Sequence, residues 1–539
     1  MAGRDAIGPV LAGHIGPLHL VLTGNVDSTV GGGVTAARGP LESQVEVRNL
    51  APELPADAQA EEEVRMGQYR PISGVVLAAG EGARMKSATP KVLHTLCGRP
   101  MLLHVIDALV ALPLERVVVV VGHGAESVTK TLQDRLATEL PIEFVEQSIQ
   151  RGTGDAASVA LTASGFDLDG EDDLLIVPGD APLLRPDTLA ALARHHRETD
   201  AAATLLTAEL SEDCANFGRV VRGDSGRVMR VVEKVDATDE ELEVHEVNTS
   251  VYCFRRGLLA PALRRLSPEN AQGEYYLTDV IEVLRDAGHT IEAWLADDHA
   301  AALHVNDRAQ LARAESVLRS RINERWMHAG VTMVDPARTY VDASVEIEHD
   351  VTLLPGTMLS GRTVIGVGST IGPDSRLVDT IVGERCVLRQ TVATEVEIGD
   401  DVAVGPFAHL RPGTRLGDRV HIGNFVETKN AEIADGAKAN HLTYLGDADV
   451  GAGANIGAGT ITANYDGTEK HRTVIGPRAR IGSNTVLIAP VEVGEGSYTG
   501  AGAVVTRDVP AGALAKGVPA EIEEGWADTR EDEEPEDGS

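Results

Sequence analysis

The C-terminal half of the chain carries a six-residue repeat, and no other feature of the sequence restricts the fold as strongly. Aliphatic residues recur at every sixth position from Val341 to Leu377, from Ile398 to Ile422 and from Ile475 to Val493, often followed at once by glycine. One inward aliphatic side chain and one tight turn per six residues is the pattern of a parallel β-helix of hexapeptide repeats. Three hexads form one triangular coil, so we expect a prism of about ten coils stacked ~4.8 Å apart.

The repeat is interrupted twice. Its phase is lost between Ile422 and Val450 and again between Ile456 and Ile475. We interpret both interruptions as loops inserted into the solenoid, and such insertions tend to lie on the binding face. The first contains GNFVETKNAEI and KANHLTYLGDA, and the second contains NIGAGTITANYDG. A purely structural prism does not need these polar segments, so they indicate a functional site.

Residues 71–308 follow a different pattern, in which short aliphatic runs alternate with amphipathic stretches. Runs such as GVVLAA, RVVVVVG, DLLIVPGD and AAATLLTA predict buried strands, and PMLLHVIDALVAL has the spacing of a helix. This alternation predicts an α/β domain whose mostly parallel sheet is covered by helices on both faces. Residues 309–329 predict a linker helix that leads into the repeat domain at 330–520.

Both ends of the chain differ from these regions. Residues 1–70 contain a GGG run and an acidic cluster, with no sustained period of 2 or 3.6 residues. They are either a disordered extension or a non-native segment upstream of a true start at Met66. Residues 521–539 hold ten acidic side chains against one arginine, so we expect a solvated acidic tail there.

The composition excludes several classes of function. Lysine and arginine number 48 and aspartate and glutamate number 82, which gives a formal net charge of −34. Such a surface repels phosphate backbones, so we expect no binding to nucleic acid or to anionic membranes. No apolar run approaches the roughly 18 to 20 residues that span a bilayer. Cys97, Cys214, Cys253 and Cys386 lie far apart without zinc spacing, which predicts reduced thiols in a cytoplasmic protein.

A glycine-rich segment, LAAGEGARMKSATPKVLH, begins at Leu77 directly after the first predicted strand. Gly80 and Gly82 let the backbone approach a phosphate chain, and oriented N–H groups together with Arg84 and Lys91 would neutralise its charge. The segment therefore predicts a phosphate-binding loop. The alternative interpretation is an ordinary strand-to-helix turn with surface cations.

Asp180 follows another buried strand, at the position where open sheets place their sites. A lone aspartate at a strand end is more often a turn or cap residue than a metal ligand. A nucleotide reaction in an acidic protein nevertheless needs Mg²⁺, which takes one or two carboxylates together with substrate oxygens. Asp180 is therefore our candidate metal ligand.

At this point a known family can be recognised. The segments that carry the resemblance are, in order, LAAGEGARM with PK, EQSIQRGTGDA, VPGDAPL, NFGRV, VVEKVDAT, EVNTSVY and EYYLTDVI. They resemble the sugar-phosphate nucleotidyltransferases. More narrowly, they are similar to the uridylyltransferase half of the bacterial bifunctional enzymes that make UDP-N-acetylglucosamine.

Carried over residue by residue, the resemblance implies a Rossmann-like nucleotidyltransferase domain in which Arg84 and Lys91 meet the phosphates during catalysis. It also implies that Asp180 and Asn306 bind Mg²⁺. The residues expected to hold UTP and the UDP-sugar are Leu77, Ala78, Ala79, Gly80, Lys91, Gln147, Gly152, Thr153, Gly218, Glu233, Asn248 and Asn306. The sequence departs from the family at His304, where we expect a glycine two residues before the asparagine.

The implied reaction is attack of a sugar 1-phosphate oxygen on the α-phosphorus of UTP, with release of pyrophosphate. The protein does little covalent work in such a transfer, because positioning and charge neutralisation provide the catalysis. We expect Mg²⁺, Arg84 and Lys91 to supply that neutralisation.

The polar segments of the repeat domain are similar to the acetyltransferase half of the same family, so the resemblance covers residues from about 70 to 520. It implies a left-handed parallel β-helix that forms a homotrimer. It also implies that His441 is the general base, which takes a proton from the amino group of glucosamine 1-phosphate during attack on acetyl-CoA.

The residues expected to bind the sugar phosphate there are Arg411, Lys429, Tyr444, Asn455 and Lys470. The residues expected to bind acetyl-CoA are Ala458, Asn464, Tyr465, Ser483 and Ala501. The family often has an arginine at the position of Gly517, and we interpret Lys516 as its substitute.

The resemblance therefore implies a two-site enzyme, with acetyl transfer in the β-helix and uridylyl transfer in the sheet domain. We expect it to have small-molecule substrates only: glucosamine 1-phosphate, acetyl-CoA, N-acetylglucosamine 1-phosphate and UTP. One alternative is a single-activity sugar-phosphate nucleotidyltransferase with a non-catalytic β-helix, and His441, Lys429 and the pair Asn464 and Tyr465 argue against it. The other is a non-enzymatic solenoid scaffold, which leaves the glycine-rich loop unexplained.

Overall fold

The computed structural model describes residues 70–136, 138–163, 166, 170–210 and 217–526. The predictions for the N-terminal extension before residue 70, for Cys214 and for most of the acidic tail fall outside these residues and stay predictions. The described residues belong to one compact unit, which contains a sheet domain, a long helix and a prism.

The sheet domain is built on strands that coincide with the aliphatic runs of the sequence. They are β1 (Ile72–Ala78), β2 (Thr95–Leu96), β3 (Arg99–Pro100), β4 (Val117–Val121), β5 (Ile142–Glu146), β6 (Asp173–Pro178), β7 (Ala203–Glu209), β8 (Arg219–Arg222), β9 (Val228–Val232), β10 (Glu246–Arg255) and β11 (Ile291–Leu295). The main sheet has the order β11-β7-β10-β6-β1-β4-β5, with the β8–β9 hairpin attached to β10. β1 pairs in parallel with β4 and β6, whereas β10 runs antiparallel between β6 and β7. The predicted α/β domain with a mostly parallel sheet is confirmed.

Seven helices of the described sheet domain surround this sheet. They are α1 (Met101–Val110), α2 (Ala125–Gln133), α3 (Thr153–Ala160), α4 (Pro186–Glu198), α5 (Asp239–Leu242), α6 (Arg256–Leu263) and α7 (Asp279–Asp286). One hydrophobic core includes Leu102 and Ile106 of α1, and a second includes Ala157 of α3 and Ile281 of α7. The carboxyl ends of β1, β4 and β6 meet at one edge, which brings the glycine-rich loop close to the turn that holds Asp180.

Helix α8 (Arg308–His328) joins the two domains, one residue earlier than the predicted linker helix. Its N-cap is Asp307, whose side chain accepts a hydrogen bond from the backbone N–H of Gln310 at 2.9 Å. In the middle of the helix, Glu315 accepts a hydrogen bond from the Cys97 N–H at 2.8 Å. Near its end, Asn323 donates to two carbonyls at the start of the prism. The helix therefore contacts both domains along its length.

The prism consists of three faces of short strands. The first face contains β12 (Thr332–Met333), β15 (Thr352–Leu353), β18 (Thr370–Ile371), β21 (Val387–Leu388), β24 (Ala403–Val404), β27 (His421–Asn424), β29 (Lys438–His441), β31 (Asn455–Ile456), β34 (Arg480–Ile481), β37 (Tyr498–Thr499), β39 (Leu514–Gly517) and β40 (Ala520–Glu523). The second contains β13 (Tyr340–Val341), β16 (Met358–Ser360), β19 (Arg376–Val378), β22 (Thr391–Thr394), β25 (Ala408–Leu410), β28 (Glu427–Ile433), β30 (Tyr444–Val450), β32 (Ile461–Ala463), β35 (Val486–Ile488) and β38 (Val504–Val505). The third contains β14 (Glu346–Ile347), β17 (Val364–Ile365), β20 (Ile381–Val382), β23 (Glu397–Ile398), β26 (Arg415–Leu416), β33 (Thr473–Ile475), β36 (Val491–Val493) and the second halves of β28 and β30.

The repeat explains this architecture. Thr352 pairs in parallel with Thr370 and Ala403 with His421, eighteen residues further on, which is one coil of three hexads. The inward residue of each strand is aliphatic and buried, as at Leu353, and all these side chains form one continuous core. The parallel β-helix predicted from the hexapeptide repeat, and its left hand implied by the resemblance, are confirmed.

The first interruption of the repeat is not an inserted loop, and the prediction of a loop there is wrong. His421 pairs with Lys438, and Lys438 pairs with Asn455, each seventeen residues further on. These coils are one residue shorter than three hexads, which shifts the phase of the pattern without leaving the prism. Ala439 and Leu445 fill the inward positions.

The second interruption is an insertion. Asn455 pairs with Arg480, twenty-five residues further on, so this coil has about seven residues more than its neighbours. The additional residues form a hairpin in which Tyr465 and Lys470 make an antiparallel bridge.

None of the described helices combines the length and the apolar character needed to cross a bilayer. Among the cysteines in the described part of the chain, Cys97, Cys253 and Cys386 are free and buried. Burial raises the pKa of the Cys386 thiol to about 11, which keeps this thiol protonated at neutral pH.

Candidate active sites

The glycine-rich loop leaves β1 at the carboxyl edge of the sheet, with residues 77–80 at its start. A Cβ added at Gly80 would meet no described atom within 4 Å, so the backbone faces open space there. Gly82 has φ 68°, and a Cβ on it would lie 2.6 Å from that of Lys91. Only glycine suits this position, because it allows both the left-handed backbone and the close approach of Lys91. Arg84 lies exposed in the next turn.

Lys91, Asp180 and Asn306 come together beside this loop. The Lys91 Nζ lies 2.5 Å from Asp180 Oδ2 and 3.2 Å from Asn306 Oδ1, so one ammonium group contacts both oxygens. The Asp180 side chain is only 15% exposed. Burial opposes its ionisation, but the Lys91 ammonium and His304 outweigh that effect and hold the pKa of Asp180 well below its ordinary value. The carboxylate is therefore ionised at neutral pH.

His304 is part of the same cluster. Its Nδ1 lies 3.1 Å from Asp180 Oδ1, and its Nε2 lies 3.0 Å from the carbonyl oxygen of Thr249 in β10. His304 was not predicted as a site residue, and in the sequence it differs from the family pattern only by replacing a glycine. The sequence feature that could have placed His304 in this cluster is its position two residues before Asn306.

Gly218, Glu233 and Asn248 lie close together near the start of β10. The Asn248 N–H donates to the Gly218 carbonyl at 3.0 Å, and a Cβ on Gly218 would lie 3.6 Å from Glu233 Oε2. Thr278 Oγ1 donates to Glu233 Oε1 at 3.1 Å. Burial raises the pKa of Glu233 above its ordinary value. The three residues predicted to hold the sugar thus lie together.

Gln147, Gly152 and Thr153 form a neighbouring group at the start of α3. Gln147 Nε2 donates to the Gly152 carbonyl at 3.2 Å, and Thr153 Oγ1 accepts from the Leu277 N–H at 3.0 Å. Leu277 precedes Thr278, so this group is adjacent to the sugar cluster. All predicted nucleotide and sugar residues therefore lie at the carboxyl edge of one sheet.

The residues at this edge suit Mg²⁺. No group of three or more His, Cys, Asp or Glu side chains within the described ranges could hold a metal ion. The contact of the Lys91 ammonium with Asp180 and Asn306 nevertheless shows that a cation fits between one carboxylate and one amide oxygen. Mg²⁺ commonly takes one or two protein oxygens and completes its shell with water and phosphate oxygens.

The predicted base of the prism, His441, ends β29 at an exposed corner. Its Nδ1 lies 2.8 Å from Asn424 Oδ1. Since an amide oxygen only accepts hydrogen bonds, Nδ1–H is the donor, and the lone pair of a neutral ring is then on Nε2. Asn424 was not predicted from the sequence, although it lies one coil, seventeen residues, before His441.

The predicted coenzyme residues continue this corner along the prism axis. In the strand register, Asn424, His441, Ala458, Ser483 and Ala501 take the same place on five successive coils. At ~4.8 Å per coil, the column beyond His441 extends about 14 Å. The corner column, as we call these five residues, offers an elongated surface that begins at the imidazole.

Three cations converge on the second face. Arg411 precedes Lys429 by one coil, and Lys429 pairs with Gly446, over which the ring of Tyr444 lies. Contact with the ammonium of Lys470 lowers the pKa of Lys429, because two like charges repel. A phosphate group would relieve this repulsion and accept hydrogen bonds from the cations.

Asp447 lies beside these cations. Asn430 Nδ2 donates to its Oδ1 at 2.6 Å, and the amide of Asn464 contacts its other oxygen. Burial opposes ionisation of Asp447, but these hydrogen bonds and the nearby lysines hold its pKa below the ordinary value. Asp447 thereby links the inserted hairpin to the prism.

The inserted hairpin presents Lys470 and Tyr465, which is 60% exposed. Asp466 accepts hydrogen bonds from two backbone N–H groups of the hairpin and from the His471 ring at 2.7 Å. Asn455 does not join this cluster, because it lies on the first face whereas Lys429 lies on the second. Near the end of the prism, Lys516 Nζ pairs with Glu523 at 3.1 Å.

Comparisons with known proteins agree with this division. A MobA-like NTP transferase domain matches residues 74–287, and the bacterial transferase hexapeptide matches residues 395–430 and 472–507. The bifunctional protein GlmU of Streptomyces avermitilis is 47% identical over 464 residues, which are 86% of this chain and 95% of that protein. The GlmU proteins of Streptomyces coelicolor, 48% identical over the same shares, and of Desulfitobacterium hafniense, 47% identical over 82% of this chain and 95% of that protein, are similar.

The chain belongs to the GlmU family. As a GlmU-type protein it is a bifunctional enzyme with uridylyltransferase and glucosamine-1-phosphate N-acetyltransferase activities. The predicted two-site enzyme is confirmed, and the single-activity and scaffold alternatives are excluded. The two family models also match the two GlmU halves to the sheet domain and the prism.

Proposed function

We propose that the prism first acetylates glucosamine 1-phosphate with acetyl-CoA, and that the sheet domain then transfers the uridylyl group of UTP to the N-acetylglucosamine 1-phosphate formed. The order follows from the chemistry, since the acetylated sugar phosphate is the substrate of the second reaction.

In the prism, His441 Nε2 takes the proton from the sugar amino group while the amine attacks the thioester carbon of acetyl-CoA. Asn424 keeps the ring in the tautomer that this step needs. Arg411, Lys429 and Lys470 hold the sugar phosphate, with Tyr444 as a further contact of the same chain and Asn455 as a contact from a neighbouring copy. Ala458, Ser483, Ala501 and the hairpin residues Asn464 and Tyr465 hold the coenzyme.

In the sheet domain, the loop of residues 77–80 together with Gln147, Gly152 and Thr153 holds the uridine nucleotide. Gly218, Glu233 and Asn248 hold the amino sugar. Arg84 and Lys91 neutralise the phosphates. Asp180 and Asn306 hold Mg²⁺, which supplies positive charge to the phosphate oxygens when it is bound.

The observation that carries the proposal is the corner column, since a base near its head and an elongated surface along the axis suit an acyl donor longer than the sugar. The direct test is to incubate the protein with glucosamine 1-phosphate, acetyl-CoA, UTP and Mg²⁺ and to identify the products. We expect UDP-N-acetylglucosamine, coenzyme A and pyrophosphate. Coenzyme A release without the nucleotide sugar, or the reverse, would contradict the coupled two-site function.

We also propose a homotrimer in the cytoplasm. Phe407, Phe425 and Leu442 form an exposed apolar strip on three successive coils beside His441, and the two phenylalanine rings stack 5.4 Å apart. A neighbouring copy that covers this strip could also supply an Asn455 to the cation cluster, which one chain does not do. Sedimentation should give three chains per particle, and an active monomer in acetyl transfer would contradict this assembly.

A further inference from the structure

His304 lies between two elements that the uridylyl-transfer site must keep in register. One ring nitrogen is 3.1 Å from Asp180 Oδ1 after β6, and the other is 3.0 Å from the carbonyl of Thr249 in β10. The side chain is only 14% exposed, and its ring meets that of Phe217 edge-on, with centroids 6.0 Å apart. The imidazole is therefore fixed on both sides and by packing.

The two oxygens of Asp180 have different partners. Oδ1 faces His304, whereas Oδ2 faces the Lys91 ammonium, which also contacts Asn306 Oδ1. Rotation about the last torsion of an aspartate is soft, so a carboxylate without a second partner does not hold one orientation. The contact with His304 thus gives the carboxylate a second partner, on the oxygen that does not face Lys91.

We propose that His304 is a positioning residue of the uridylyl-transfer site, which orients the Asp180 carboxylate toward the cation position and ties it to β10. The proposal rests on the assignment of Asp180 and Asn306 as ligands of Mg²⁺. Loss of a partner that orients a metal-binding carboxylate typically lowers metal affinity or activity by about 10- to 100-fold. Because Thr249 follows Asn248, the same ring also joins the cation position to the strand that holds the amino sugar.

Three substitutions separate the two contacts of the ring nitrogens. His304→Phe keeps an aromatic ring next to Phe217 but removes both ring nitrogens. His304→Asn places an amide N–H₂ near the position of Nδ1 and keeps the contact with Asp180. His304→Gln places it near the position of Nε2 and keeps the contact with Thr249 only.

The experiment titrates Mn²⁺ into the full-length protein with saturating UDP-N-acetylglucosamine, and free Mn²⁺ is followed by electron paramagnetic resonance. No turnover occurs, because the reverse reaction needs pyrophosphate. We expect His304→Phe to weaken Mn²⁺ binding by about 10- to 100-fold. His304→Asn should bind Mn²⁺ within a few-fold of the wild type, and His304→Gln should resemble His304→Phe. Acetylation by the prism should stay unchanged in all three.

Two outcomes would overturn the proposal. If His304→Phe binds Mn²⁺ as tightly as the wild type, the ring does not orient Asp180. If His304→Asn is as weak as His304→Phe, the ring acts through its packing and not through its hydrogen bond. Asp180→Asn distinguishes these from failure of the metal assignment: if this variant binds Mn²⁺ like the wild type, both the assignment and the proposal are wrong.

Discussion

The proposed uridylyl-transfer site gathers Lys91, Asp180 and Asn306 from distant parts of the chain, whereas the proposed acetyl-transfer site takes its residues from successive coils. The first group is joined by contacts between side chains that are mostly buried. In the second, His441 is exposed and Asn424 is its partner one coil earlier. The sheet site depends on the topology of a whole domain, and the prism site depends on the length of a coil.

The two sites also differ in whether their lysine side chains have an oppositely charged partner. In the sheet domain, the Lys91 ammonium is already paired with a carboxylate at 2.5 Å. In the prism, Lys429 and Lys470 face each other, and their mutual repulsion lowers the pKa of Lys429. Lys91 therefore already has an anionic partner in the first site, whereas Lys429 in the second site faces another cation.

The largest effect is expected from His441→Ala, which removes the base but no inward residue of the prism. A positioned general base contributes typically 10²- to 10⁴-fold, or about 3 to 5 kcal/mol of barrier. Acetylation of glucosamine 1-phosphate should fall by that factor with a modest change in KM. The measurement is coenzyme A release, followed beside uridylyl transfer to N-acetylglucosamine 1-phosphate, which should keep the wild-type rate.

The matched control is His421→Ala, since His421 is also an exposed histidine on the first face of the prism. It should leave both activities unchanged. If His441→Ala acetylates normally, His441 is an ordinary surface residue and the base is another group.

Asp180→Asn is the converse test of whether the two sites act independently, because it changes the sheet domain and leaves the prism unchanged. Mg²⁺ provides several kcal/mol of charge stabilisation in such reactions, and each 1.36 kcal/mol is tenfold in rate. We therefore expect pyrophosphate release from UTP to fall by about 10²-fold or more, while acetylation stays at the wild-type rate. Equal loss of both activities would instead indicate misfolding.

Asn424→Ala should have a smaller effect on acetylation, because it removes the partner of His441 and not the base. A hydrogen bond is worth about 1 to 1.5 kcal/mol, so kcat should fall about tenfold with little change in KM. Asn424→Asp keeps an acceptor at the same place and should restore most of the activity. An alanine variant with full kcat would show that the ring needs no partner.

The sequence predicted the β-helix because the repeat is local, whereas the site residues predicted on it came from the family resemblance. Once the coil length is known, the spacing from His441 to Ala458, Ser483 and Ala501 places all four residues on one corner. The exception was the first interruption, where coils of seventeen residues were interpreted as a loop. A loss of phase does not distinguish a shorter coil from an insertion.

The sheet site could be predicted only in part. The glycine-rich loop and Asp180 follow strands and can be placed at one edge, since the carboxyl ends of parallel strands meet there. The bond between His304 and Asp180 depends on side-chain direction across 124 residues, and no periodicity encodes it. Asn306 entered only through the family resemblance, for the same reason.

The smallest effects concern stability, and here the two regions should respond in opposite directions to the same substitution. Burial, Glu282 and Asp236 raise the pKa of Asp279, at the start of α7, to about 6. In the prism, Asp447 has its pKa held below the ordinary value, because donated hydrogen bonds and lysines outweigh burial. A carboxylate whose pKa is raised in the folded protein contributes stability below its unfolded pKa near 4 and loses it as the pH rises through 6. A carboxylate whose pKa is lowered in the folded protein contributes stability above pH 4 and loses it as the pH falls.

Asp279→Asn removes an unfavourable ionisation, so at pH 8 it should stabilise the sheet domain. Two pKa units correspond to about 3 kcal/mol, and solvent screening of this half-buried group reduces the gain to about 1 kcal/mol. The melting temperature should rise by roughly 2 to 4 °C at pH 8, and the gain should shrink as the pH is lowered toward 4.5. Asp447→Asn keeps one amide oxygen as an acceptor but turns an N–H₂ toward the other amide donor, so it loses one charge-assisted hydrogen bond of about 1.5 kcal/mol and at pH 8 should lower the melting temperature of the prism. Calorimetry at several pH values checks both, with Asp224→Asn in the exposed β8–β9 turn as a control that should change neither. If both variants lose stability at pH 8, Asp279 is held by favourable contacts as Asp447 is, and the electrostatic contrast between the two regions does not exist.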